Sequence, residues 1–552
     1  MKQLILIFVL IQFFSCNSQR GKVENTRKPN IVWIVTEDIS PTLSFYGDFT
    51  AQTPNLDELS KESMIYDNAF APVGVCAPTR SSIITGMYPT SIGTMHMRTG
   101  LDVMSWGKRS YKNVGRLDSQ GDSITQYSAV IPSEVKCFTE YLRANGYFCT
   151  NNQKTDYQFA APITAWDQNS NKAHWRNRPE NSPFFSVFNI NTTHESQLWK
   201  KGDLPLTVSP NDVKVPPYLP DNNETRETIA RHYSNVELMD VQVGSFIKQL
   251  KDDGLYDNTI IFFYSDHGGP LPRQKREIYD SGLKVPFMIK GINSEGGRTN
   301  RMISFVDLAP TMLSLVGIEP PKYLEGKAFL GKFNDTEREY IFGSSDRFDE
   351  FTDRIRAVRN RQYLYLRNDF PNLLKYKDVG YRKSVPMMTK FLQLKEEGKL
   401  SETQQIWFNT KTYEELYDCN LDPHNINNLA DDPNYESVLD EMRSTLKKHL
   451  KERRDLGLQP ESCLVNSMWP NFEQPITANA NIEMRNGMVL LSSSTKGASI
   501  AYFVSDNPNE NLDYNSGWLL YTEPIPAKSG KYIYTIAERI GFKESKIERY
   551  KI

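Results

Sequence analysis

Three strand-like runs that each end in chemically capable groups constrain this chain more than any other feature. Asn30-Ile31-Val32-Trp33-Ile34-Val35-Thr36 is hydrophobic and β-branched, and Glu37 and Asp38 follow at once. Thr259-Ile260-Ile261-Phe262-Phe263-Tyr264 runs into Ser265-Asp266-His267-Gly268-Gly269. Phe184-Phe185-Ser186-Val187-Phe188-Asn189-Ile190 stops shortly before His194. Short, nearly continuous apolar runs read as strands buried on both faces of a parallel sheet. Open α/β sheets place their sites at the carboxyl edge, where these polar groups would emerge. Helix-like stretches over residues 55–61, 81–86, 137–145 and 229–251 fall between the strands, which predicts a large α/β body and not a helical repeat.

The body does not use the whole chain. At roughly 100–200 residues per domain, 552 residues leave room for two to four. The catalytic body is assigned to 29–345. Residues 346–457 form a smaller α+β subdomain, with antiparallel strands at 355–359 and 362–366 and an amphipathic helix over 435–450. An Asn/Pro-rich linker or strap at 458–479 leads to a small β-sandwich-like domain at 480–552, with strand signatures at 488–491, 499–503 and 531–535. Basic and acidic residues number 65 and 67, so a net charge of -2 gives no general reason to expect a nucleic-acid partner. Six cysteines are too few for a disulfide-built scaffold of this length.

The amino terminus is a targeting segment. Lys2 precedes an apolar run over residues 4–14, too short for the ~20 residues of a membrane span but suited to an export signal. An ordinary secretory peptide would account for it. The ending Phe13-Phe14-Ser15-Cys16 resembles a lipobox, which makes 1–16 a lipoprotein-type signal segment with Cys16 lipidated and 17–28 the tether. That reading implies lipoprotein export and processing machinery as partners. It also implies an extracytoplasmic location, periplasmic or at the cell surface, through lipid anchoring.

Cys76-Ala77-Pro78-Thr79-Arg80 is the strongest motif. It sets a potential nucleophile four residues before a fixed cation, ahead of a helix whose amino end favours an anion. Alone, a buried cysteine is ordinarily structural. Two acids on one strand end and an Asp-His pair on another call for a hard divalent cation, although either pair by itself would also suit a helix cap. The histidine leaves Zn2+ or Mn2+ open on composition alone.

With Cys76, Pro78, Arg80, Thr85 and Gly86, the chain resembles the type I sulfatases of the alkaline-phosphatase-like superfamily. The strand from Pro29 to Asp38 and the segment from Ser265 to Gly268 occur in the expected order, and the resemblance covers about residues 28–455. It implies that a maturation enzyme converts Cys76 to formylglycine, a protein-derived cofactor whose hydrated aldehyde attacks sulfur and later expels sulfate. It implies Ca2+ held by Glu37, Asp38, Asp266, His267 and residue 76. Glu37 departs from the usual Asp-Asp pair. The resemblance further implies Arg80, Lys154 and Lys275 around the sulfate, Asp38 activating the nucleophile, and His194 as acid to the leaving oxygen. Asp156 stands where a histidine is usual, and His96 is a candidate to compensate.

For substrate recognition, Asp346, Arg347, Asp349 and Glu350 combine an arginine fork with acids, while His174, Trp175, Arg176 and Arg178 offer a stacking surface beside polar donors. A structural salt-bridge network is the alternative for both. The expected reaction is hydrolysis of O-sulfate esters on a sulfated glycan, with bacterial polysaccharide sulfatases as the nearest resemblance and algal ulvan as a candidate substrate. Two rivals stand: a phosphatase or phosphonate monoester hydrolase of the same superfamily, and a surface glycan-binding protein with a degenerate sulfatase body. Residues 480–552 also resemble the β-domain appended to chitobiase-type enzymes, for which a packing or spacer role is preferred.

Overall fold

A computed structural model describes residues 28–97, 115–292 and 296–552. The signal segment, Cys16 and nearly all of the tether lie outside the described residues. Among the described residues, no helix is long and apolar enough to cross a membrane.

The main sheet has eight strands: β1 (Asn30–Thr36), β2 (Ser63–Phe70), β3 (Phe148–Asn152), β4 (Gln168–Asn169), β5 (Phe184–Ile190), β6 (Thr259–Ser265), β7 (Phe287–Lys290) and β8 (Gly297–Ser304). Their order is β4-β3-β5-β1-β6-β7-β2-β8. All neighbours run parallel except β7, which is antiparallel to both β6 and β2. Every residue of β1 is buried. Side chains alternate between faces along a strand, so Ile31, Trp33 and Val35 enter one core layer with Phe185, Phe262 and Tyr264. Val32 and Ile34 enter the opposite layer with Phe188, Ile261 and Phe263. A strand that feeds two cores has no room for a polar face, which is why its sequence is an unbroken apolar run.

Register then decides what meets at the edge. Thr36 pairs with Ser265 on one side and with Ile190 on the other. With strands about 4.8 Å apart, the segments that follow all three must emerge side by side.

A second, antiparallel sheet comprises β9 (Ile341–Ser345), β10 (Ile355–Arg359), β11 (Tyr363–Asn368) and β12 (Glu414–Asp418), in the order β12-β11-β10-β9. One face carries Val358, Tyr365 and Leu416 against Leu439, Met442 and Leu446 of the helix Glu436–Glu452. The other sets Ile355, Ala357, Leu364 and Leu366 against Phe70, Ile278 and Leu283 of the body. The stretch 458–479 is not bare linker, because it contains the helix Glu461–Met468. Leu464, Val465 and Met468 of that helix pack with Met95, Tyr127 and Ala129.

The terminal region folds as two small sheets. One holds β13 (Asn481–Arg485), β14 (Met488–Ser492) and β17 (Ile525–Pro526); the other holds β15 (Ser499–Ser505), β16 (Leu519–Leu520), β18 (Tyr532–Glu538) and β19 (Glu548–Lys551). Val489 and Leu491 of the first meet Ile500, Ile533 and Ala537 of the second in one core. The other face of β15 and β18 packs Ala501, Tyr534 and Ile536 on Ile163 of the main body.

Candidate active site

Cys76 is the first residue of a ten-residue helix, Cys76–Thr85, that is buried throughout. The sequence placed the helix start at Ser81; the structure starts it five residues earlier, so the anion-favouring end belongs to Cys76 itself. Pro78 is tolerated because the first turn needs no amide donor. Thr79 Oγ1 donates to Val73 O at 2.6 Å and Thr85 Oγ1 to Ser81 O at 2.6 Å, which satisfies hydroxyls that burial would otherwise penalise. Gly74 holds this entry against the loop that carries Lys275. A β-carbon there would lie 2.2 Å from Glu277 O, so no other residue allows the approach.

Arg80 lies one helical turn from Cys76, on the same face. Its Nε donates to Asp266 Oδ2 at 3.0 Å, Nη1 to Asn189 Oδ1 at 2.7 Å, and Nη2 reaches Glu37 Oε1 at 3.4 Å. One guanidinium therefore ties together the ends of β1, β5 and β6. Lys154 Nζ lies 2.9 Å from Glu37 Oε1 and 3.5 Å from Asp156 Oδ2. Lys275 Nζ donates to Asp38 Oδ2 at 2.6 Å. Cys76 Sγ lies 3.3 Å from His267 Nε2, and that nitrogen is 3.1 Å from Asp38 Oδ1.

The potential metal ligands converge as two overlapping groups. Glu37, Asp38, Cys76 and His194 form one and Cys76, Asp266 and His267 the other, with ligand atoms within 4.8 Å of one another in each. Asp38 Oδ1 is buried, and its close polar neighbour is His267 Nε2. Three buried carboxylates, beside two imidazoles and one sulfur, make oxygen the commonest donor in the set, which suits a hard cation. Asp38 also adopts a left-handed backbone (φ 55°), as do Asp156 (56°), Arg276 (71°) and Asp349 (52°) around the same site. Non-glycine residues rarely hold this conformation unless their surroundings impose it.

Electrostatics follow the same contacts. Burial pushes the Glu37 carboxyl up, but Lys154, His194 and Arg80 outweigh it and hold the group at about 2. Burial likewise opposes ionisation of Asp38, and Lys275, His194 and His267 hold it well below the usual carboxylate range. His267 is raised to about 10 because Asp266 and Asp38 overcome its burial. His194 is lowered to about 3, by burial first and then by Lys275. Its Nδ1 accepts from the Ser196 amide at 3.1 Å, so the neutral ring carries its proton on Nε2, 3.8 Å from Glu37 Oε2.

The Sulfatase family profile matches residues 29–318. An ulvan-active sulfatase of Formosa agariphila is 43% identical over 559 residues, spanning 94% of this chain and 90% of its own. The chain belongs to the sulfatase family. More distant relatives of this sulfatase include the human N-sulphoglucosamine sulphohydrolase, 24% identical over 81% of this chain and 95% of its own. Among solved structures, a 2-O GAG sulfatase superposes with a TM-score of 0.54 at 19% identity, covering 77% of this chain and 92% of that one. The phosphonate monoester hydrolase of Agrobacterium radiobacter gives 0.54 at 15% identity, covering 76% and 95%, so the fold alone is shared with the phosphonate chemistry.

Not every expected recognition residue belongs here. Trp175 has no exposed surface; it is stacked on Phe184 at the start of β5, and its Nε1 donates to Asp253 at 2.8 Å. Arg176 is paired with Asp253, His174 contacts Gln249, and Arg178 bonds the Trp175 carbonyl. This group fastens the end of the helix Asn223–Asp252 against β5, and Trp175 offers no exposed stacking platform. His96 does not stand in for a histidine at Asp156: its charged neighbours are Glu461, Arg347 and Arg356. Asp346 is engaged by Arg356 and Arg347 by Glu461, while Glu350 accepts from the Gly380 amide. Only Asp349 of that group is tied to the centre, through Arg276.

The structure adds residues with no assigned role in the sequence reading. Glu195 donates its amide to Asp38 Oδ2 at 2.6 Å, and its carboxylate accepts two bonds of 2.9 Å from Arg276. Asn189 accepts from Arg80, and Ser265 Oγ accepts from the Ile39 amide at 2.9 Å. Glu195 and Arg276 each adjoin an assigned residue, yet their pairing spans 81 positions and has no local signature.

Proposed function

We propose that this sulfatase hydrolyses O-sulfate esters of a sulfated polysaccharide or its oligosaccharides, with ulvan as the substrate. The carrying observation is the convergence of Cys76 and Arg80 on the Glu37-Asp38 and Asp266-His267 pairs. The glycan class is supported by the Formosa agariphila relative.

In its hydrated aldehyde form residue 76 would supply the nucleophilic hydroxyl, and Glu37, Asp38, residue 76, Asp266 and His267 would hold a Ca2+ whose charge would lower the repulsion at the sulfate. Asp38 Oδ2 is occupied by Lys275 and the Glu195 amide, while Oδ1 and Cys76 Sγ both approach His267 Nε2, at 3.1 and 3.3 Å, so Oδ1 is the oxygen that would polarise that hydroxyl. Arg80, Lys154 and Lys275 are fixed cations in a water-poor site, where they stabilise nonbridging oxygens without reorganising. His194 is the acid for the departing sugar oxygen only as imidazolium. A proton taken up at Nδ1, 2.9 Å from Ser196 Oγ, when the anionic ester binds would let Nε2 release its own proton to that oxygen, which avoids expelling an alkoxide. Lys154 and His194 side chains are 18% and 12% exposed whereas Cys76 is fully buried, so the ester enters from their side. The export-type amino terminus supports lipidation at Cys16 and an extracytoplasmic site of action, and membership of the sulfatase family supports maturation of Cys76 by a dedicated enzyme.

Enzyme produced with a competent maturation system should carry the aldehyde at residue 76 in peptide mass spectrometry. It should release sulfate from ulvan oligosaccharides, lose turnover on chelation and regain it with Ca2+. A strong preference for aryl phosphate over the matched aryl sulfate would instead assign the chemistry of the phosphonate hydrolase relative.

A further inference from the structure

A cavity of about 630 Å³ lies between the body and the second sheet, bounded by His96, Asp346, Arg347, Phe370, Glu461 and Phe472 among others. Its volume falls within the roughly 300–1,000 Å³ of small-molecule sites. None of the residues that surround Cys76 lines it, yet Met97, next to His96, shares a small apolar cluster with Phe348 and Cys76.

His96 is the decisive group. It is 6% exposed, lines the cavity, and neither ring nitrogen has a hydrogen-bond partner among the described residues. A buried imidazole whose nitrogens meet no protein partner suits an occupant that both donates and accepts. The surrounding charges are already committed. Arg347 gives Nε and Nη2 to Glu461 at 2.5 and 2.7 Å, and Nη1 to the carbonyls of Met97 and Asp349 at 2.9 and 2.6 Å. Arg354 is bound to Asp369 at 2.7 Å, and Asp346 to Arg356 at 3.0 Å. Asp118 and Asp122, also on the lining, add negative charge that would repel a sulfate. Phe370 and Phe472, 36% and 48% exposed, add apolar surface to the lining; the Arg354 guanidinium lies over one face of Phe370, 4.9 Å from its centre, and leaves the other face for a sugar ring.

We infer that this cavity is a second binding site, for an uncharged sugar residue of the glycan chain, recognised by hydroxyl contacts to His96 and apolar contact with Phe370 and Phe472. Burial lowers the His96 pKa to about 4, so at neutral pH the ring keeps one donor and one acceptor, matched to a hydroxyl. The inference rests on the glycan-sulfatase reading for its substrate class only.

The test uses the mature full-length enzyme and a panel of neutral methyl glycosides (glucoside, xyloside and rhamnoside), followed by saturation-transfer NMR. At least one should bind in the presence of saturating inorganic sulfate, and His96→Ala and Phe370→Ala should each weaken it at least tenfold. His96→Gln keeps a donor and an acceptor and should retain part of the binding, which separates recognition from a folding defect. In kinetics, His96→Ala should raise KM for a sulfated oligosaccharide at least tenfold more than KM for an aryl sulfate, with a smaller effect on kcat. No neutral glycoside binding, equal losses on both substrates, or preferential binding of a sulfated monosaccharide in the cavity would each overturn the inference. If neutral glycosides bind through His96 but no sulfate ester is turned over, the site stands and the hydrolase reading fails.

Discussion

At the scale of single residues, the site separates two kinds of polar side chain near Cys76. Asp156 contacts Lys154 at 3.5 Å, whereas His194 directs its protonated nitrogen toward Glu37 from the more open side. Asp156→Ala should therefore cost less than His194→Ala on a sugar sulfate. Losing a general acid costs about 10²–10⁴-fold, and the loss shrinks when the leaving group departs without help. His194→Ala should fall in that range on an oligosaccharide and under tenfold on an activated aryl sulfate, measured as kcat with both substrates. An Asp156→Ala enzyme that is dead on sugar sulfate beside an active His194→Ala would assign the acid to the wrong residue. Glu195 adds a positioning element, because its amide fixes Asp38 and its carboxylate lies in a chain through Arg276 to Asp349. Removing one partner of such a buried pair costs about 3–5 kcal/mol. Arg276→Ala should thus lower both Tm and kcat in mature enzyme, with KM for aryl sulfate moved least.

At the scale of elements, docking of the terminal β-domain is polar as well as apolar. Lys136 Nζ donates to Gly497 O at 2.7 Å and Ser499 Oγ at 2.9 Å, the Ile163 amide donates to Glu538 at 2.9 Å, and Arg143 Nη2 donates to Trp518 O at 2.8 Å. An interface built this way favours a packing role over an independently moving binding module. Gly497 is a close backbone approach within it, with φ +81° and a β-carbon position 2.4 Å from Ser133 O. Gly497→Ala must move backbone against backbone and adopt a conformation costing about 1–2 kcal/mol by itself. Its Tm should fall by several degrees, and hydrogen exchange should speed up around residues 131–136. An unchanged Tm would show that the contact yields freely.

At the scale of the whole molecule, histidine burial sets the response to acid. The chain has seven histidines, and six of them are lowered, all with burial as the largest cause. A histidine whose folded pKa lies below its unfolded value binds its proton more readily when unfolded. Stability then falls as pH drops from about 6.5 toward the folded value. His96 and His232, both nearly fully buried and lowered to about 4, would each account for about 3 kcal/mol by pH 4. Tm should decline steadily between pH 6.5 and 4, with the decline beginning above the range in which most carboxylates protonate. His96→Gln should flatten part of that slope in a scanning-calorimetry series, and an identical slope would remove His96 from the account.

What the sequence determined by itself is the set of local features with short-range causes. The bounds of β1 and β5 could be read because a strand buried on both faces must be continuously apolar. The acids and histidine after β1 and β6, together with the Cys76–Arg80 spacing, could be read because they depend on one strand end or one helical turn. The family resemblance rests on those same segments. Tertiary structure alone decided which groups meet. Lys275 reaches Asp38 across 237 positions, and Trp175 went to the core although its neighbours resembled a sugar platform. His96 was placed over a cavity and not beside Asp156. Those outcomes depend on register between strands, on which face of each layer is covered, and on which charges pair once water is excluded. None of these is a property of a short stretch of chain.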